Sequence, residues 1–311
     1  MGFSQTVSQY VRDLVSAHAF DAHLDYPGQG GWGSAEQLVN ADKLKGALRV
    51  FFCEEDGHAP SNVDEHLREI ARLDPLLAGN APGRKDPRHI EGCESVRSED
   101  EICRVLDEAL KRGIVSVGPI YHRDNPLGGC SKESGIGLTH LGVRFLSTAT
   151  FHNLRIDLAH MSAASMDHVL RVVWLPPAPN KSPISYTHGG VWHDGVTHPL
   201  IVKGNRERCL LMECAKQIID MGGFVGLSPC APFYDEPSVF FDHLLELHSF
   251  VPRVGIGTDY GGILDEWCWP GCETVFDLFC YVTHELFKRG LTEQQVAGII
   301  GDNFRHHLGL L

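Results

Sequence analysis

The sequence predicts a (β/α)8 barrel, the TIM-barrel class of α/β fold, and three observations carry that expectation. Short apolar or β-branched runs recur eight times, each ends in polar residues, and the segments between them have helical periodicity. Eight strands with alternating helices close most naturally into a barrel. A doubly wound open sheet is the alternative, and it accounts less well for the polar strand ends. The length of 311 residues suits one large barrel, so residues 1–311 are expected to form a single domain.

Each element has its own signal. Ser4–Ala17 reads as an extra N-terminal helix before the first strand, Ala19–Asp25. The second strand, Ala47–Glu54, leads to the helix Asn62–Leu77, and the polar stretch Asn80–Arg88 then breaks the chain. His89–Cys93 is the third strand and Ser98–Arg112 its helix; Gly113–Ile120 is the fourth, followed by Leu141–Asn153. Leu154–His160 is the fifth, with the helix Ala163–Val173 and a loop punctuated by Pro176, Pro177 and Pro179. The last three strands are Pro183–His188, Gly223–Ser228 and Val254–Tyr260, with helices Glu207–Met221, Pro237–Phe250 and Cys272–Arg289. Thr292 is a natural N-cap for a short helix to Ile300.

Composition narrows the function classes. Hydrophobic residues make up 43% of the chain and charged ones 22%, enough to bury a core. Lys and Arg number 27 against 40 Asp and Glu, a net charge of −13 with no basic patch, so nucleic acid is not an expected partner. The first twenty residues lack the unbroken apolar core of a signal peptide, and no eighteen apolar residues run together. A soluble, cytoplasmic protein without membrane contact is expected. The ten cysteines contain no C-x-x-C pair and are read as reduced and mostly buried. Neither Cys209 with Cys214 nor Cys268 with Cys272 has a second pair at zinc-ribbon distance.

The polar residues at the C-terminal strand ends, where barrel enzymes place their chemistry, form a set. The first strand ends His23-Leu24-Asp25, an i, i+2 pair on one face. The third ends at Glu91, His122 follows the fourth, His160 closes the fifth, His188 the sixth and Asp259 the eighth. Imidazole and carboxylate together suit borderline divalent metals such as zinc, and a carboxylate can bridge two ions. Two ions a few ångströms apart can share a hydroxide and polarise a carbonyl, which is hydrolytic chemistry. Asp157, deeper in the fifth strand, is left out as a supporting or structural residue. The remaining histidines fall in helices or loops and are read as surface or core residues; His193 and His198, after the sixth strand, are the two that substrate could touch.

These motifs resemble the membrane (renal-type) dipeptidase family, peptidase family M19, of the metal-dependent amidohydrolase barrels. Phe20-Asp21-Ala22-His23-Leu24-Asp25-Tyr26-Pro27 is similar to its D-G-H-N-D-L-P opening, and Glu91-Gly92 to its E-G segment. Asp157-Leu158-Ala159-His160-Met161-Ser162 resembles its D-L-S-H-x-S, Pro183–His188 its P-x-x-x-S-H, and Gly255-Ile256-Gly257-Thr258-Asp259-Tyr260 its G-I-G-S-D-F. The likeness runs in order from about residue 20 to Arg305. It implies two zinc ions per chain, one held by His23, Asp25, Glu91 and Asp259 and the other by Glu91, His160 and His188. It also implies that His122 contacts substrate and stabilises the oxyanion, that Asp259 shuttles the proton to the leaving amine, and that the chain forms a homodimer. The implied reaction is hydrolysis of dipeptides or related small N-acyl amino acids. Where the family has a carboxylate-gripping arginine, Lys203-Gly204-Asn205 stands here after a longer loop. Lys203 and Arg206 are therefore the expected substrate contacts, with Arg208 as a further candidate. That departure keeps open another amidohydrolase reaction on a lactone or cyclic amide; a catalytically silent metal-binding barrel is the rival from outside enzymology.

Overall fold

The computed structural model of the chain describes residues 7–25, 34–52, 60–77, 86–132, 135–171, 184–193, 208–234, 236–250 and 253–311. Eight parallel strands form one sheet: β1 (Phe20–Asp25), β2 (Gly46–Phe52), β3 (Arg88–Glu91), β4 (Ile114–Gly118), β5 (Arg155–Asp157), β6 (Ile184–Tyr186), β9 (Phe224–Leu227) and β10 (Val254–Ile256). A bridge between Leu24 and Tyr260 closes it. At this seam Asp25 N donates to Tyr260 O at 3.0 Å and Asp259 N to His23 O at 3.0 Å. The expected barrel is thus observed, with eight strands in sequence order.

Helices cover the outside: α1 (Gln9–His18), α2 (Val63–Leu77), α3 (Glu99–Lys111), α4 (His140–Phe151), α5 (Ala163–Arg171), α6 (Met212–Asp220), α7 (Pro237–Phe250) and α8 (Val275–Lys288). Their starts follow local capping chemistry. Ser8, Ser98, Thr139 and Thr274 each accept a first-turn N–H, and Thr292 with Gln295 forms a reciprocal capping box ahead of α9 (Glu293–Ala297). The chain then makes a π-helical turn, Gly298–Asp302, and continues as α10 (Asn303–Leu308), where the sequence suggested one short helix.

A second difference is the two-residue pair β7 (Val191–Trp192) and β8 (Leu210–Leu211), outside the barrel. The helix expected from Glu207 accordingly starts only at Met212, because Leu210 and Leu211 are taken up by pairing. The described strands β5 and β10 stop earlier than expected. The strands end at Asp157 and Ile256, and three residues further on His160 has φ 66° and Asp259 φ 62°, left-handed conformations that keep the extended run from continuing to His160 and Tyr260.

Most buried apolar side chains lie between barrel and helices, but a smaller cluster of Phe20, Ala22, Leu48, Phe224 and Phe304 lies at the N-terminal ends of the strands. Phe304 of α10 brings its ring to 4.5 Å from that of Phe224. In β1, pairing with β2 shifts register between Asp21 and Leu24. Phe20 and Ala22 join this cluster, whereas Leu24 packs in the main core, so the irregularity swaps the alternation and turns His23 and Asp25 inward above it. Among the described residues nine cysteines are free of disulfides and six of them are buried, and no helix is long and apolar enough to cross a membrane.

Candidate metal centre

His23 and Asp25 come from β1 and Glu91 from the end of β3; His160, His188 and Asp259 stand just past β5, β6 and β10. The structure brings all six together, none more than 8% exposed. Their arrangement is divided by Glu91. Its Oε2 lies 3.9 Å from His23 Nε2, and His23 Nε2 is in turn 3.5 Å from Asp25 Oδ1 and 3.9 Å from Asp259 Oδ1. Its other oxygen, Oε1, faces His160 Nε2 at 3.1 Å and His188 Nε2 at 3.9 Å.

Burial of three carboxyl groups so close together is costly unless a cation shares the space. Burial and then neighbouring charge raise Glu91 well above the ordinary carboxylate range; Asp25 is likewise raised, chiefly by burial, and Asp259 is pushed up to about 7 by burial and by Asp25. Burial holds His23, His160 and His188 below the usual imidazole range, hence neutral and able to offer a lone pair. His23 Nε2 and Glu91 Oε1 are buried, aimed into the cluster and without a partner of hydrogen-bonding geometry. Neutral imidazoles, carboxylates and orphaned donor atoms are what a divalent cation requires, and the residues fit one.

Asp157 also falls within reach of His23, Glu91 and His188, but its oxygens are already used. Oδ1 accepts from Thr187 N at 2.9 Å and Ala159 N at 3.2 Å, and Oδ2 accepts from the Thr187 hydroxyl. Asp21 is held in the same way: Oδ1 accepts from Thr258 N at 2.9 Å and His23 N at 3.1 Å, Oδ2 from Thr258 Oγ1 at 2.6 Å. Each clamp fixes a threonine that immediately precedes a centre residue, His188 or Asp259. The sequence left Asp157 as a supporting or structural residue and gave no role to Asp21 or to either threonine, although the signal was present: Thr before the candidate position on one strand and Asp two or three residues before a histidine on its neighbour.

A pocket opens onto the centre. His122 lines it, with its ring stacked on Tyr121 at 3.7 Å and 5.5 Å from that of His160; burial, then Lys132, Arg208 and Arg123, lower its pKa to about 3. Pro232, Phe233, Ile263 and Trp267 form an apolar wall. Arg208 enters from just before β8, with its guanidinium 5.6 Å from the Phe233 ring centroid and Nη2 2.8 Å from both His160 Nε2 and His188 Nε2. Lys203, Arg206 and His198 lie outside the described residues. His193 pairs with Glu246 of α7 at 2.9 Å and is not among the residues lining this pocket. Arg208, a subsidiary candidate in the sequence, thus reaches the centre, and Lys132 is a second described basic residue lining the pocket.

No family model and no curated protein sequence matches the chain. Solved structures do. A metallopeptidase from Rhodobacter sphaeroides, liganded with a phosphinate mimic of the dipeptide L-Ala-D-Ala, aligns with TM-score 0.73 and 20% identity over 94% of this chain and 98% of its own. An amidohydrolase from Pseudomonas aeruginosa aligns with TM-score 0.71 and 18% identity over 96% and 98%. A dipeptidase of metallopeptidase family M19 gives TM-score 0.71 and 20% identity over 94% and 97%. At these identities the likeness is one of architecture, and the barrel described above is the fold that this chain shares with these solved structures.

Proposed function

We propose that the chain is a binuclear, zinc-dependent hydrolase of the M19 dipeptidase type, cleaving the amide bond of dipeptides or related small N-acyl amino acids. The observation that carries this reading is Glu91, whose two oxygens face different histidines, as a bridging carboxylate requires. His23, Asp25, Glu91 and Asp259 would hold one ion, and Glu91, His160 and His188 the other. Bound zinc would polarise the scissile carbonyl and lower the pKa of a water.

The rest falls to side chains of the chain itself. His122, neutral at pH 7, can donate one N–H to the carbonyl oxygen as negative charge grows on it. Asp259, at the rim of the centre beside the pocket, is the group to hold a proton and pass it to the leaving amine. Arg208 lines the pocket and offers a planar, two-pronged donor for a substrate carboxylate, and we assign it that role; Lys203 and Arg206 lie outside the described residues. The apolar wall suits a nonpolar substrate side chain. The dipeptide mimic held by the Rhodobacter sphaeroides metallopeptidase, on the same fold, supports a pocket of this kind.

Elemental analysis of metal-replete protein tests the centre: two divalent ions per chain are expected, with Glu91→Gln lowering both. One tightly held ion at saturation would exclude the binuclear reading. A panel of dipeptides that includes D-residues at the C-terminal position tests the substrate, and no turnover across it would leave lactones and cyclic amides as the next panel.

A further inference from the structure

We infer that Thr187 is a positioning residue whose single hydroxyl holds two imidazoles that face different oxygens of Glu91, His23 and His188, and sets the tautomer of His23. A hydroxyl has one proton and two lone pairs. Thr187 Oγ1 has three partners: Asp157 Oδ2, His23 Nδ1 at 3.0 Å and His188 Nδ1 at 3.1 Å.

The proton positions follow by elimination. Arg208 has donors and no acceptor, so its Nη2, 2.8 Å from His188 Nε2 and 2.8 Å from His160 Nε2, can only donate. Both Nε2 atoms are therefore unprotonated, and their 3.1 Å separation is proximity, not a hydrogen bond. A neutral His188 with bare Nε2 carries its proton on Nδ1 and gives it to Thr187 Oγ1. The hydroxyl sends its own proton to Asp157, whose other oxygen is occupied by two backbone N–H groups. One lone pair of Oγ1 remains, and the atom facing it is His23 Nδ1, which must be the donor. His23 Nε2 is then bare and aimed at Asp25, Glu91 and Asp259.

Two contrasts show that this is particular to Thr187. Thr258, in the matching clamp, also donates to an aspartate, but its hydroxyl accepts from the backbone N–H of Tyr260 at 3.1 Å and from no imidazole. His160 has a buried Nδ1 with no hydrogen-bond partner among the described residues. One side chain thus orients rings belonging to both halves of the proposed centre. The tautomer assignment stands without any metal; its consequence for metal binding rests on the proposed function.

The test begins with the wild-type protein, metal-free and 15N-labelled, in long-range 1H–15N correlation spectra assigned by single-histidine substitutions. His23 and His188 are expected as Nδ1–H tautomers, and a bare Nδ1 on His23 would overturn the inference. Thr187→Val removes the hydroxyl at nearly constant volume and should return His23 to a mixture of tautomers, whereas Thr187→Ser should keep the wild-type pattern. Zinc titration of the same proteins should show a roughly 10–100-fold loss of affinity at both sites in Thr187→Val, the usual effect of removing a group that orients metal-binding histidines, and near recovery in Thr187→Ser. A folded Thr187→Val with unchanged ring spectra and affinity would also overturn it. If wild type takes up no zinc, the proposed centre fails while the ring spectra still decide the tautomers.

Discussion

Arg208 and His122 reach the same pocket, one as a cation and the other as a neutral ring, and their substitutions should separate cleanly. Loss of a charge-assisted hydrogen bond to a substrate carboxylate costs about 1.5–3 kcal/mol. Arg208→Ala should therefore lower kcat/KM for free dipeptides by roughly 10–150-fold, and the penalty should nearly vanish for C-terminally amidated dipeptides in steady-state assays. Equal losses on both would remove the carboxylate from the reading of Arg208. His122→Ala should keep its metal by elemental analysis while kcat falls by about 10²–10³, the range for losing one oxyanion donor. Loss of metal in that variant would make His122 a ligand. At this scale the sequence was most informative where a residue type is tied to a strand end: His23, Asp25, Glu91, His160, His188 and Asp259 could be read as a set because each sits at the same end of a strand. Arg208 was harder to single out. Three basic residues within six positions follow a long loop, and the short β7–β8 pair just after Arg208 is what anchors that residue near the rim.

At the level of elements, the strands were legible because a buried parallel strand must be apolar and must end where polar residues begin. Their exact ends were not, since His160 and Asp259 leave the extended conformation through a left-handed backbone that nothing in the neighbouring residue types announces. The two-residue pair of β7 and β8 is too short to give any period, and the turn Gly298–Asp302 interrupts an apolar pattern that runs on smoothly through it. The packing of β6 against its neighbours gives a prediction of its own. A Cβ on Gly226 would stand 2.0 Å from Thr187 O, and one on Gly257 1.9 Å from the same atom. Backbone, not a flexible side chain, is in the way. Gly257→Ala should therefore cost at least about 1–3 kcal/mol as an overpacking substitution, read as a fall in thermal midpoint, and should also weaken zinc binding because Thr187 and His188 are displaced together.

For the whole molecule, the proposed centre ties stability to metal and pH. Chelation should lower the thermal midpoint, since an ion held only by the assembled site stabilises the folded state by RT ln(1 + [L]/Kd). The sign with pH follows from the carboxyl groups. Asp259 titrates near 7 in the metal-free fold, with Asp25 and Glu91 raised in the same direction, so below pH 7 a metal must displace protons. The histidines are held low by burial, and any proton a metal displaces from them would act in the same direction. Zinc affinity should rise with pH through 7, by up to about tenfold per unit for each proton released, and the gap between loaded and chelated midpoints should widen from pH 5.5 to 7.5. Calorimetric titration in two buffers of different ionisation enthalpy would count the protons; no release would contradict the raised carboxyls. The seam that closes the barrel adds a consequence in time. Asp259 N bonds to His23 O across the join of β1 and β10, and His18 meets Asp302 at 2.8 Å, a separation of 284 residues along the chain. Such distant partners meet only after a large loss of chain entropy, which places them late in folding. His23 and Asp25 therefore wait, through synthesis of the more than 200 residues that separate Asp25 from Asp259, for the strand that brings the last carboxylate, and a nascent polypeptide still lacking it presents an incomplete set of the proposed ligands to any ion it encounters.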